Sequence, residues 1–138
     1  MKIVAADVKA LRGLTNARMM DCKKALLESQ GDIEKAKLLL QEKGKSKADS
    51  KSGRVATQGL ISIEIDETNK LAIVLEINCE TDFAAKDNDF VEFTEKISKL
   101  LLNKNIESLE ELKNSIIEDF KNVEDYQTHV ATKLGENI

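Results

Sequence analysis

The spacing of apolar residues changes period partway along the chain, and that change limits the fold to a helical unit followed by one that contains a sheet. Near the start, apolar side chains recur at helical spacing three times: Val4, Val8 and Leu11, then Met19, Cys22 and Leu26, then Ile33, Ala36 and Leu40. Intervals of three and four residues place such side chains on one face of a helix. Gly13 and Thr15-Asn16 separate the first two helices, while Gly31 followed by Asp32 supplies a C-terminal glycine and then an N-cap for the third. From Ile61 the period is two. Ile61, Ile63 and Ile65 alternate with Ser62, Glu64 and Asp66, Glu67-Thr68-Asn69-Lys70 turns the chain, and Leu71, Ile73, Leu75, Ile77 and Cys79 form the next alternating face. This pattern predicts a β-hairpin. Ala72 and Val74 also make the second strand apolar on its other face, which predicts a more central place for it than for its partner. Helical spacing then returns with Phe90, Phe93, Ile97, Leu100 and Leu101. It continues with Leu109, Leu112, Ile116, Phe120 and Val123 in a helix opened by the capping box Ser108-Leu109-Glu110-Glu111.

Charge divides the chain near the same place. Residues 1–54 hold 13 Lys and Arg against 7 acidic residues, whereas residues 55–138 hold 8 against 18. Between the two periodic regions, Lys43 to Arg54 contains no apolar residue larger than Ala and is punctuated by Gly, Ser and Lys, a linker composition whose first half could extend the preceding helix. The expected organisation is a three-helix domain over residues 1–45, a basic linker over 46–55 and a core subdomain over 56–138. The fold class is α+β: a small three-helix bundle, then a β-hairpin packed with two or more helices. A two-stranded hairpin rarely stands alone, so either these helices cover it well or a further strand completes an otherwise half-built core.

Several functional classes are disfavoured. No stretch approaches the roughly 18 apolar residues of a membrane span, and the start Met1 to Asp7 is too short and too quickly charged for a secretory signal, so a soluble cytoplasmic protein is expected. Cys22 and Cys79 lie far apart, without CxxC spacing or a neighbouring His, which argues against a disulfide scaffold or a zinc site and for buried, reduced thiols. No GxxxxGK[ST], GxGxxG, HExxH or GxSxG motif is present. His129 lies in the polar setting Gln127-Thr128-His129 and reads as an exposed helical residue. A Cys79 nucleophile with a His129 base is conceivable, but Cys79 alternates with core positions and reads as an inert thiol.

Two local anomalies remain. Phe83 sits beside Asp82 in a short polar connection between a strand and a helix, Asn78 to Phe90. Composition alone favours a loop Phe tucked into its own core. Met19-Met20 is the second anomaly, because adjacent residues point about 100° apart on a helix and cannot both face a thin core. Exposed flexible Met suits a partner surface, although such pairs also straddle core boundaries.

The runs Met19-Met20-Asp21-Cys22-Lys23-Lys24-Ala25-Leu26, Gly31-Asp32-Ile33-Glu34 and Asn78-Cys79-Glu80-Thr81-Asp82-Phe83, with Lys86, resemble the elongation factor Ts family in order and spacing. The resemblance extends to Ala56-Thr57-Gln58-Gly59-Leu60-Ile61 and Gly135-Glu136-Asn137-Ile138. It implies a ubiquitin-associated-like three-helix domain followed by the first half of the family's core. It further implies a guanine nucleotide exchange factor for elongation factor Tu, with no catalytic chemistry and no cofactor of its own. Thr81, Asp82 and Phe83 would form a wedge that disturbs the Mg²⁺ and phosphate site of the partner's nucleotide-binding domain. Leu11, Arg12, Met19 and Met20 would dock the helical domain on the same partner domain.

Two departures from the family pattern stand out. Most members continue past the position of Ile138 into a further strand and a second core half, so this chain is either a piece of a longer protein or a short form. Self-association or fusion would supply the missing half. The other departure is Asn16-Ala17-Arg18, where the family commonly has glycines. Two rival readings carry less. A nucleic-acid module could use the five basic residues of 43–54, but no aromatic is interleaved to stack on bases and the remainder is acidic, so no direct nucleic-acid or membrane contact is expected. A generic helical interaction domain would leave the hairpin unit as scaffold.

Overall fold

The computed structural model of the chain describes residues 3–15, 17–68 and 70–138. Met1 and Lys2 at the start, Asn16 in the first interhelical break and Asn69 in the hairpin turn lie outside the described residues. The chain divides into two compact units, one ending at Asp49 and the other spanning Ser50–Ile138.

The first unit consists of α1 (Ala5–Thr15), α2 (Met19–Glu28) and α3 (Ile33–Asp49). Val8 and Leu11 of α1, Cys22, Ala25 and Leu26 of α2 and Ala36 of α3 form its core, with Ile33 and Leu40 at the margin. Val4 and Met19, placed on the inner faces by spacing, are largely exposed. They begin or precede their helices, and Ile3 and Ala17, also at those ends, pack against the core. The break before α3 follows its chemistry. Gly31 takes a left-handed φ of 85°, and Asp32 Oδ1 accepts the Lys35 N–H at 3.0 Å. Residues 46–49, assigned by composition to the linker, form the last turn of α3. Lys, Ser and Ala are compatible with helix in the absence of Pro, and Lys43 and Lys47 pair with Glu28 and Asp21 at 2.7 and 3.1 Å.

The second unit begins with β1 (Gln58–Ile65) and β2 (Ala72–Cys79), an antiparallel pair. Asp66 organises the turn: its side chain accepts the Lys70 and Leu71 N–H groups at 2.9 and 2.7 Å and the Thr68 hydroxyl. The resulting register sets Ile61 opposite Glu76, Ile63 opposite Val74 and Ile65 opposite Ala72. These isoleucines therefore share a face with Val74, and Ile61, Ile63, Ile65 and Val74 are 57–71% exposed. The inner face carries Leu60, Ser62 and Glu64 against Ile73, Leu75, Ile77 and Cys79. The β1 face expected to be buried is thus the open one. Of the two strands only β2 has its alternating apolar set inward, and neither is central in the two-stranded sheet.

Helices cover the inner face. After α4 (Asp82–Ala85), α5 (Asn88–Asn103) crosses both strands. It buries Phe90, Phe93 and Ile97, each worth about 1.5–3 kcal/mol when removed from water. The single helix expected from Leu109 to Val123 is two: α6 (Leu109–Asn114) and α7 (Val123–Leu134). Ser108 Oγ caps α6 through the Glu111 N–H at 3.1 Å, as its capping box predicts, and Asn122 Oδ1 starts α7 through Asp125 at 2.8 Å. Between them a bridge joins Ile117 and Phe120. Unbroken helical spacing would bury Ile116, yet Ile116 is 70% exposed and Ile117 is buried, because the intervening turn rotates the chain. Ile117 then packs with Phe93, Leu112, Val123, Tyr126 and Val130.

Candidate functional site

The strand-to-helix connection is built from the core outward. At the end of β2 the Cys79 side chain is fully buried, and Thr81 is extended at φ −125°, ψ 155°. The Thr81 hydroxyl accepts the Ala84 N–H at 3.2 Å and so caps the single turn α4. Ala84 and Ala85 lie inward, packed with Cys79 and fully buried Phe90. One helical turn has two sides, so with the alanines inward Asp82 and Phe83 face solvent. Phe83 is 82% exposed. The compositional expectation of a Phe tucked into its own core is therefore overturned; Phe90 occupies that space. Asp82 pairs with Lys86 at 3.0 Å across one turn, an exposed contact worth a few tenths of a kcal/mol to the fold.

In the helical unit the structure separates the four expected contact residues. Leu11 is fully buried between the helices and is a core residue, so its side chain offers no surface. Position i, i+4, i+7 spacing already pointed that way. Arg12 is exposed in the last turn of α1, and Met19 and Met20, 40% and 62% exposed, open α2. Leu14, 60% exposed, adds an apolar side chain to the end of α1 that sequence reasoning missed. Spacing gave no signal for it, since Leu14 follows Leu11 by three residues and reads as part of the same stripe.

The imagined Cys79–His129 pair is not assembled as a nucleophile and base. Cys79 Sγ donates to the Thr81 carbonyl oxygen at 3.2 Å, and burial, followed by the negative Glu136, raises its pKa and keeps it protonated. His129 is half-buried rather than exposed, with its ring 5.3 Å from that of Phe120. Burial, then Lys133, lowers its pKa below 6.5. Among the described residues no group of three or more His, Cys, Asp or Glu side chains is placed to hold a metal ion, and no helix is long and apolar enough to cross a membrane.

Fold and site together describe an α+β protein with exposed apolar side chains, Phe83 on the capped turn α4 and Met19 and Met20 at the start of α2. The family model described as Elongation factor TS matches residues 80–138. Elongation factor Ts of Clostridium perfringens (strain SM101 / Type A) is 44% identical over 136 residues, covering 99% of this chain and 45% of that protein. The same-named protein of Clostridium novyi (strain NT) is 46% identical over 138 residues, with 99% and 45% covered. That of Campylobacter fetus subsp. fetus (strain 82-40) is 47% identical over 138 residues, with 100% and 39% covered. Over nearly its whole length the chain is similar to members of the elongation factor Ts family, and it spans less than half the length of these curated relatives.

Proposed function

We propose that the chain acts in translation elongation, in the cytoplasm, as a guanine nucleotide exchange factor for elongation factor Tu. The carrying observation is Phe83, 82% exposed beside Asp82 on a capped single turn whose other side is buried. Thr81, Asp82 and Phe83 form the wedge, entering the partner's nucleotide-binding domain near its Mg²⁺ and phosphate site. Mg²⁺ demands near-ideal octahedral oxygen geometry, so a small displacement of a supporting loop sacrifices much nucleotide affinity. Arg12, Met19 and Met20 dock the helical unit on the same domain, an exposed apolar pair with a nearby Arg being a reasonable hot-spot set. Leu11, enclosed in the three-helix core, adds no surface to that contact.

Exchange then follows from coupling, with no bond chemistry by this chain and no cofactor. A factor that binds empty partner more tightly than nucleotide-bound partner weakens nucleotide binding by the same ratio. The open face of Ile61, Ile63, Ile65 and Val74 is where self-association, or a fused further segment, would supply additional cover. The test is stopped-flow release of a fluorescent GDP analogue from elongation factor Tu with and without the chain. Acceleration that saturates with concentration is expected; an unchanged release rate overturns the proposal.

A further inference from the structure

The chain's last residues fold back on the candidate wedge. Helix α7 ends in Gly135, whose left-handed φ of 79° would strain any L side chain, and the Gly135 and Glu136 N–H groups both reach the Ala131 carbonyl oxygen, at 2.9 and 3.2 Å. The reversal brings the Glu136 carboxylate to the end of β2. There Oε2 accepts the N–H groups of Glu80 and Thr81, both at 3.0 Å, and Oε1 accepts the Thr81 hydroxyl at 2.6 Å. Asn137 reinforces the contact, its N–H donating to Glu80 Oε1 at 2.7 Å and its amide nitrogen to the carbonyl oxygens of Ser52 and Arg54 at 3.3 and 2.8 Å.

Every polar group of Thr81 is consequently engaged. Its N–H and hydroxyl donate to Glu136, its hydroxyl oxygen caps α4, and its carbonyl oxygen accepts Cys79 Sγ and the Ala85 N–H at 3.2 Å each. Phe83 has little packing of its own to set its direction. Its orientation is inherited from the backbone two residues earlier, and that backbone is held by a carboxylate 55 residues away along the chain.

We infer that Glu136 is a positioning residue for exchange: acting through Thr81, it holds the α4 turn so that Phe83 projects in one direction before the partner arrives. This rests on the wedge reading above. A pre-ordered loop avoids the entropy of ordering at the moment of insertion, and charge-assisted hydrogen bonds to consecutive backbone N–H groups are well suited to hold it. The order is needed when the wedge enters the nucleotide site, after docking. Loss of Glu136 should therefore lower the maximal release rate and leave the half-saturating concentration nearly unchanged.

The test uses the full chain with Glu136→Ala, Glu136→Gln and, as a control, Phe83→Ala. Native-state hydrogen exchange of the Glu80 and Thr81 amides, read by NMR without partner, should rise about tenfold in Glu136→Ala, with exchange in α5 and the melting temperature close to the parent. Stimulated GDP release should lose about tenfold in maximal rate, within the range for a misplaced working group. Glu136→Gln keeps an oxygen for the two N–H groups and should fall between parent and Ala, which also carries the test if Ala disturbs folding. Unchanged exchange at Glu80 and Thr81 overturns the clamp. Faster exchange at Glu80 and Thr81 with an undiminished maximal rate, while Phe83→Ala is impaired, overturns its role in exchange. If Phe83→Ala is itself unimpaired, the wedge reading fails and the positioning role falls with it, while the exchange data still decide whether the clamp exists.

Discussion

Truncating Phe83 should separate function from stability more cleanly than any other single change. Less than a fifth of its surface is buried, so removing the ring forfeits only a small part of the roughly 1.5–3 kcal/mol that full burial of a Phe contributes, about 0.5 kcal/mol at most. Ala has the better helix propensity by up to about 0.5 kcal/mol, which offsets much of that loss in α4. For a domain of this size the melting temperature should move by no more than about 4 °C. Insertion into an apolar partner site would bury the ring almost completely. Losing that contact should remove roughly 1.5–3 kcal/mol from the release step, or about 10- to 150-fold in the maximal rate. Circular dichroism melting and stopped-flow release across a concentration series measure the two quantities independently. A strongly unfolded Phe83→Ala protein would place the ring in the core; a stable protein with an undiminished maximal rate would remove Phe83 from the exchange step.

Three further outcomes are expected. Met19→Ala with Met20→Ala should raise the half-saturating concentration by an amount worth about 1–3 kcal/mol while sparing the maximal rate, because these side chains would dock and not displace; loss of maximal rate at an unchanged half-saturation point would reverse the roles of the two units. Cys79 should react slowly with a thiol reagent in the native state, being buried and held protonated, and rapidly after denaturation; fast native labelling would contradict its burial. His129 has its pKa lowered below 6.5 in the fold, so on acidification the unfolded chain takes up a proton first, and the stability due to neutral His129 is complete well above pH 6.5 and is lost as pH falls through that value. Urea unfolding at about pH 7.5 and about pH 5.5 should therefore show a smaller loss in His129→Gln than in the parent, and equal losses would refute the assignment.

Much of this architecture was legible in local pattern. Three helices, a hairpin and a return to helix follow from the change in apolar period, because that period reports which side chains can share a face. Asp32, Ser108 and Gly31 mark helix boundaries through short-range hydrogen bonds and backbone geometry, which depend on neighbours in sequence alone. The extension of α3 to Asp49 was less visible, since Lys, Ser and Ala suit a helix and a linker almost equally. The break between α6 and α7 was hidden because Ile116 and Ile117 both satisfy an apolar pattern, and only packing against Phe93 and Tyr126 selects Ile117.

The sequence by itself determined where chain segments begin, which period each follows and which residues, Met19-Met20 and Asp82-Phe83, fit poorly with a simple core. Tertiary structure decided direction. Alternation assigns Ile61, Ile63 and Ile65 to one face of β1 but cannot say which face meets the helices. That choice depends on the Asp66-anchored register and on β2 directing Ile73, Leu75 and Ile77 inward. Composition favoured a buried Phe83, yet Phe90 and the alanine pair fill the space beneath α4 and leave Phe83 outside. Leu11 shows the converse, a residue grouped with the docking surface whose side chain the three-helix core encloses. Glu136 and Thr81 meet across 55 residues of chain through hydrogen bonds that no local spacing encodes, because the energy of such a contact depends on positions that only the packed fold brings together.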